Sequence, residues 1–222
     1  MSPRAPQHHL PDWLLWSYAQ GGVTEGESLF AATHAALCAR CQQRILELES
    51  LGGALLDAQE PSPISSDLWS RTLQKLEREP AVSPPSPEPP AARDALLPGP
   101  LAKLLGPYDQ IPWKRAFDGL YYADLPLSHR AVPVRLRRLA PSMQIPMHSH
   151  RGTELEMVLA GGAVDLRDGK RFVRGDVASN DENDVHGLRV DPDEECLVLG
   201  VQDDRVAPKG LWSRLVFGYL GW

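Results

Sequence analysis

Two clusters of metal-ligand side chains, different in chemistry, sit in opposite halves of the chain. The first carries sulfur: His34, Cys38 and Cys41, with the pair His8 and His9 upstream. The second has no cysteine and consists of His148, His150 and Glu154, followed by a solitary His186. Soft thiolates favour zinc in a closed structural site, whereas imidazole with carboxylate also suits iron, manganese or nickel and can leave a coordination position open. The pattern predicts one metal that builds structure and one that senses or reacts.

Spacing constrains what must position these groups. His34, Cys38 and Cys41 fall at i, i+4 and i+7, one stripe of a helix. A straight helix would set His34 and Cys41 roughly 10 Å apart along its axis, too far for one ion with bonds of about 2.0–2.3 Å. The helix must therefore break near Cys38 to Arg40. A tetrahedral site needs a fourth ligand, and His8 or His9, just ahead of the first helix, is available. A redox role for the C-x-x-C pair would require a thioredoxin-like βαβ context, which the surrounding sequence lacks.

In the second cluster, strand alternation sends His148 and His150 to one side. Glu154 follows a turn or bulge at Gly152 and can reach the same place; Glu156 shares its parity and is a weaker rival. His186 returns from a neighbouring strand beyond a hairpin at Gly175-Asp176. Three imidazoles and one carboxylate then converge with room for water or substrate.

The elements that carry the clusters differ in kind. Residues 10–79 give helical signals: Asp12 as cap of a segment through Ala19, a Thr24/Glu27 capping box before a helix through Leu29, Phe30 and His34, a third helix over 42–58, and a fourth from Ser66 or Asp67 through Leu68, Trp69, Leu73 and Leu76. Between Pro80 and Pro100 proline excludes a regular packed element, which reads as a semi-extended linker. Beyond Trp113 the chain turns to short β-rich runs at 132–139, 154–159, 163–166, 170–173, 186–190, 196–201 and 215–219, a spacing that suggests a sandwich or barrel. The expected organisation is α+β and multidomain: an all-α unit at 1–79, a linker at 80–100 and an all-β unit at 101–222.

Composition narrows the function classes. The chain has 222 residues, a hydrophobic content of 42% and a net charge of −6. That charge argues against a broad electrostatic grip on nucleic acid, so any part in transcription would run through a protein partner. The N-terminus has no hydrophobic signal core, no apolar run approaches a membrane span, and the three cysteines read as metal ligands in a reducing compartment. A cytoplasmic protein is expected, with no direct nucleic-acid contact and no membrane association; oligomeric state is not legible. Cys196 lies in an apolar run and is expected in the core. The acidic stretches at 181–184 and 191–195 read as solvated turns, and Arg135, Arg137 and Arg138 as the outer face of a strand. His129 belongs to neither cluster.

Glu154 with Gly161, preceded by His148-x-His150, resembles the first signature of the cupin superfamily, and Gly175-Asp176 through His186 is similar to the second. Glu182 and Asp184 stand where many cupins place Pro and Gly. The order of His9, then His34-x3-Cys38-x2-Cys41, a linker and a cupin resembles the ChrR family of zinc-binding anti-sigma factors over nearly the whole chain. The resemblance implies a cupin (double-stranded β-helix, or jelly-roll) fold for the second unit. It assigns His9, His34, Cys38 and Cys41 to a first zinc, and His148, His150, Glu154 and His186 to a second zinc or another divalent metal.

It further implies an anti-sigma factor, not an enzyme. The helical unit would mask an extracytoplasmic-function-type sigma factor and release it on oxidative stress, singlet oxygen included, reported by the cupin. Candidate docking residues are Trp69, Leu73 and Leu76, with Leu51, Leu55 and Leu56; the alternative is that they close the unit's own core. A chain ending near Pro84 is expected to inhibit without responding. The rival function is a metal-dependent cupin enzyme, a dioxygenase or isomerase with an attached zinc module, and a third is a cupin that binds a small molecule without reacting.

Overall fold

The computed structural model describes residues 4–78, 96–128, 132–202 and 206–208. Most of the linker at 80–100, His129 and the strand expected at 215–219 lie outside the described residues.

Four helices come first: α1 (Asp12–Ala19), α2 (Glu25–Ala35), α3 (Ala39–Asp57) and α4 (Leu68–Arg78). The Thr24/Glu27 capping box forms, with the Thr24 hydroxyl accepting from the Glu27 N–H and the Glu27 carboxylate accepting from the Thr24 N–H. Asp12 does not cap α1 as expected; Pro11 is the cap, and Asp12 sits in the first turn, where its charge suits the helix dipole. Gly52 and Gly53 stay within α3.

A fifth helix, α5 (Gly99–Leu105), begins inside the segment read as linker. Proline is tolerated in a first helical turn, and Leu101 is fully buried, with α5 against α2. Tertiary burial thus overrides the proline signal at the end of that segment.

The strands form two antiparallel sheets. One has the order β1 (Lys114–Phe117), β2 (Leu120–Asp124), β3 (Val134–Leu139), β10 (Cys196–Gln202), β5 (Glu154–Ala160) and β8 (Val177–Asn180). The other runs β11 (Val206–Pro208), β4 (Gln144–His150), β9 (His186–Val190), β6 (Gly162–Asp165) and β7 (Arg171–Val173). Leu139, Val158, Val190, Cys196 and Val198 pack together in a core within the β layers.

The first sheet is covered on its other face by the helices. Leu14, Phe30 and Ile45 join Leu136, Met157 and Leu199 in one continuous apolar cluster. Every residue of β10 is consequently buried, which explains an uninterrupted apolar run where a half-exposed strand would alternate. Gly26 of α2 makes the close approach: a Cβ there would lie 2.5 Å from Val134 Cγ2. Helices and sheet share a core although they differ in kind.

Candidate metal centres

The first cluster is assembled by a break between helices. After α2 ends at Ala35, Ala36 and Leu37 turn, and Cys38 is extended (φ −125°, ψ 100°) before α3 starts. This interruption falls beside the position that ligand spacing demanded. It folds Cys38 and Cys41 back onto His34, and the segment before α1 brings His9 Nδ1 to 3.3 Å from Cys38 Sγ.

One ligand atom from each of His9, His34, Cys38 and Cys41 lies within 4.8 Å of the others. A tetrahedral ion with bonds of about 2.0–2.3 Å holds its ligand atoms roughly 3.3–3.8 Å apart, so a small inward adjustment completes the cage. His8 takes a different place: its ring packs on Phe172 at 4.7 Å between centroids.

Burial gives an independent test of fit. His34 is fully buried, with no side-chain hydrogen-bond partner on its ring and only the Gly175 backbone beside it. Buried polar atoms are rarely left so poorly satisfied, and a cation between the four side chains would engage one of the ring nitrogens. Burial lowers the His34 pKa to about 4, opposed by the Gly175 backbone, and pushes the Cys41 thiol up to about 11. A metal therefore meets neutral imidazole but must displace a thiol proton.

The second cluster lies where the two sheets face each other. His148 and His186 are directly opposed on β4 and β9. On the facing sheet Gln202, Glu154 and Asn180 form one cross-strand row over β10, β5 and β8. Glu154 Oε2 lies 2.9 Å from His150 Nε2 and 3.3 Å from His186 Nε2, and those two nitrogens are 2.8 Å apart. The outer residues of the row hold the rings from behind: the Gln202 amide is 3.3 Å from His150 Nδ1 and the Asn180 amide 3.4 Å from His186 Nδ1. His148 Nδ1 lies 2.8 Å from the Pro146 carbonyl, which accepts its proton and leaves Nε2 for coordination.

All four residues are buried, and Glu154 Oε2 faces the ring nitrogens of His150 and His186. The donor set fits a divalent cation of the imidazole-carboxylate class. Burial opposes ionisation of Glu154, but His150 and His186 beside it hold its pKa well below the carboxylate range. His186, with burial working against it, is raised by the Glu154 carboxylate; His148 is lowered to about 4 by burial and by His186.

Arg137 corrects the sequence reading. It is buried, not on an outer strand face: Nη1 lies 2.8 Å from Glu156 and 3.6 Å from Glu154, and Nη2 donates to Gln202 at 3.1 Å. Only Arg135 and Arg138 of β3 keep part of their surface exposed. Glu156 is thereby occupied by Arg137, which leaves Glu154 as the carboxylate of the cluster. The one available signal was an arginine sharing a strand parity with Leu139. Arg135 pairs with Asp124 at 2.8 Å. Cys196 is fully buried, and its thiol is pushed up to about 12 by burial. The 181–184 turn closes on itself through the Asp181 carboxylate and carbonyl.

No family model matches the chain. It is 32% identical over 198 residues to the anti-sigma-E factor ChrR of Cereibacter sphaeroides, an alignment covering 89% of this chain and 90% of that protein. The chain belongs to the ChrR family of anti-sigma factors. Membership makes it a regulator rather than an enzyme. Its fold agrees with that of ChrR in the crystal structure of Rhodobacter sphaeroides SigE in complex with the anti-sigma ChrR, at 30% identity and a TM-score of 0.73 over 89% of this chain and 99% of that one. An RmlC-like cupin from Shewanella frigidimarina also aligns, at 17% identity and a TM-score of 0.37 over 46% of this chain and 87% of that one. Among the described residues no helix is long and apolar enough to cross a membrane.

The histidine shifts predict acid lability of this ChrR-family chain once stripped of metal. Folded His34 and His148 titrate near 4 against an ordinary value of 6.5, so the unfolded chain binds more protons between those values. Their contribution is intact above pH 6.5 and is lost as pH falls toward 4. The depressed Glu154 acts in the same direction, and His186, raised, opposes it. Urea titrations of metal-stripped protein should give a stability that falls steadily over this window; a flat profile would contradict the burial argument.

Proposed function

We propose that the chain is a cytoplasmic anti-sigma factor that binds an extracytoplasmic-function-type sigma factor through its helical unit and releases it under oxidative stress. The first centre holds zinc, because two thiolates and two imidazoles form a closed tetrahedral set. The second holds zinc or another divalent metal and serves the response. Domain limits near 79 and 100 belong to this reading, with the qualification that the helices also cover the cupin sheet.

The observation that carries the proposal is α4. Trp69, Leu73 and Leu76 share one face of this helix, and none of its residues is buried. They do not close the unit's own core. Leu51, Leu55 and Leu56 at the end of α3 are exposed as well. An apolar stripe of this kind marks a protein-binding surface.

Among the described residues, one small cavity reaches the second centre at His186. The cavity beside His186 and Glu156 measures about 40 Å³, against roughly 300–1,000 Å³ for small-molecule sites. That favours signalling over turnover.

The test is the double substitution Trp69→Ala with Leu76→Ala. Both side chains are exposed, so stability should change by less than about 1 kcal/mol. Affinity for the sigma factor should drop at least about 10-fold, as expected when two anchors of an interface are removed. Unchanged affinity would rule out this face.

A further inference from the structure

We propose that the Gly175–Asp176 corner of the cupin positions the first metal centre and couples it to the second. The corner joins β7 to β8, and Asp176 is 2% exposed. Asp176 Oδ1 accepts from the backbone N–H of Gln7 at 2.6 Å and of His8 at 2.9 Å, while Oδ2 accepts from the Val173 N–H at 2.9 Å. The Val177 N–H donates to the His8 carbonyl at 3.1 Å. One buried carboxylate thus clamps the backbone immediately before His9, the ligand that arrives from outside the helix pair.

Gly175 touches the other side of the same centre. Its backbone has φ +89°, and a Cβ there would lie 2.5 Å from Pro6 and 3.6 Å from the Leu37 Cβ, between His34 and Cys38. The corner also leads back to the second centre. β8 starts at Val177 and ends at Asn180, whose amide backs His186. Asp176, Phe172, Glu156 and His186 line one small cavity, and Phe172 carries the His8 ring. A change at His186 or Glu154 therefore reaches the segment holding His9 through one short strand and one cavity wall. Where this device serves sigma-factor release it rests on the proposed function; the metal coupling stands without it.

The experiment uses the full chain loaded with Co²⁺, whose thiolate charge-transfer absorption reports the first centre alone among the two clusters. A chelator competition measures Co²⁺ retention in the wild type, in Asp176→Ala, in His150→Ala, and in the double variant. Losing a group that orients a ligand typically weakens metal affinity about 10–100-fold, and coupling between sites is commonly 5–150-fold.

Asp176→Ala should weaken retention at the thiolate centre at least about 10-fold. His150→Ala, remote from that centre, should weaken it about 5-fold or more in the wild-type background and have no further effect in the Asp176→Ala background. Retention equal to wild type in Asp176→Ala, or an undiminished His150→Ala effect in the double variant, would overturn the proposal.

If Asp176→Ala disrupts the cupin corner, seen as loss of cupin metal, Gln7→Pro removes one clamping N–H from the opposite side and must reproduce the cobalt result; full retention there overturns the proposal too. A wild-type chain that shows this coupling but binds no sigma factor would refute the proposed function and leave the coupling standing.

Discussion

Replacing Cys41 by Ser in the full chain should cost it one of two bound metal ions and abolish sigma-factor capture. Cys41 is buried with its thiol held protonated near 11 by desolvation, so only a metal makes a thiolate favourable there. Without it, the buried His34 ring loses the cation that would engage it, and α2 and α3 lose the link across their break. Structural zinc sites are worth on the order of 10 kcal/mol in small domains, so the loss should reach at least about 100-fold in sigma-factor affinity. Metal counting and a binding titration on the same preparation check this. Two metals per chain with unimpaired binding would remove Cys41 from the ligand set.

The second large effect is expected at Arg137. Arg137→Met leaves the largely buried Glu156, 14% exposed, without its 2.8 Å partner and withdraws a positive charge from Glu154. Breaking a buried pair from one side costs about 3–5 kcal/mol, a fall in Tm on the order of 10 °C for a chain of this size. The pH dependence identifies the cause. Glu156 is already raised above its ordinary value by burial and by Glu154, with Arg137 pulling it down. Without the arginine it rises further, and a carboxyl whose folded value lies above its unfolded one loses stability as pH increases. The variant should therefore be hurt increasingly as pH rises above the ordinary glutamate range, and Glu156→Gln in the same background should recover most of the loss. A deficit independent of pH and unrelieved by Glu156→Gln would point to packing instead.

Arg137 also marks where sequence reasoning stops. Ligand spacing was enough to require a break near Cys38, because bond lengths and helical rise conflict, and the break is there. The Thr24/Glu27 box and the strand beginning at His186 were equally local and equally legible. What could not be read was the second cover on the first sheet. Val134 and Leu136 face the helices while Arg137 faces the β interior, so a strand with three arginines buries one of them and half-buries the other two. Nothing local announces that.

The same long-range packing makes α5 a helix, since Leu101 gains burial that its proline-rich context does not predict. It also explains the strands that were missed: β1 carries Lys114 and Arg115, and β8 reads Val-Ala-Ser-Asn, neither with a clear alternation. His34 with either His8 or His9 was legible as a candidate ligand pair, but the carboxylate that holds the segment before His9 in place comes from residue 176, far along the chain.

The most direct test of the account is a titration of the metal-loaded full chain against an extracytoplasmic-function-type sigma factor, with the thiolate centre monitored in parallel. The account predicts a one-to-one complex that excludes the sigma factor from core RNA polymerase and is lost when the first centre is stripped of metal. A sigma factor that reaches the polymerase unhindered by a fully loaded chain would contradict it.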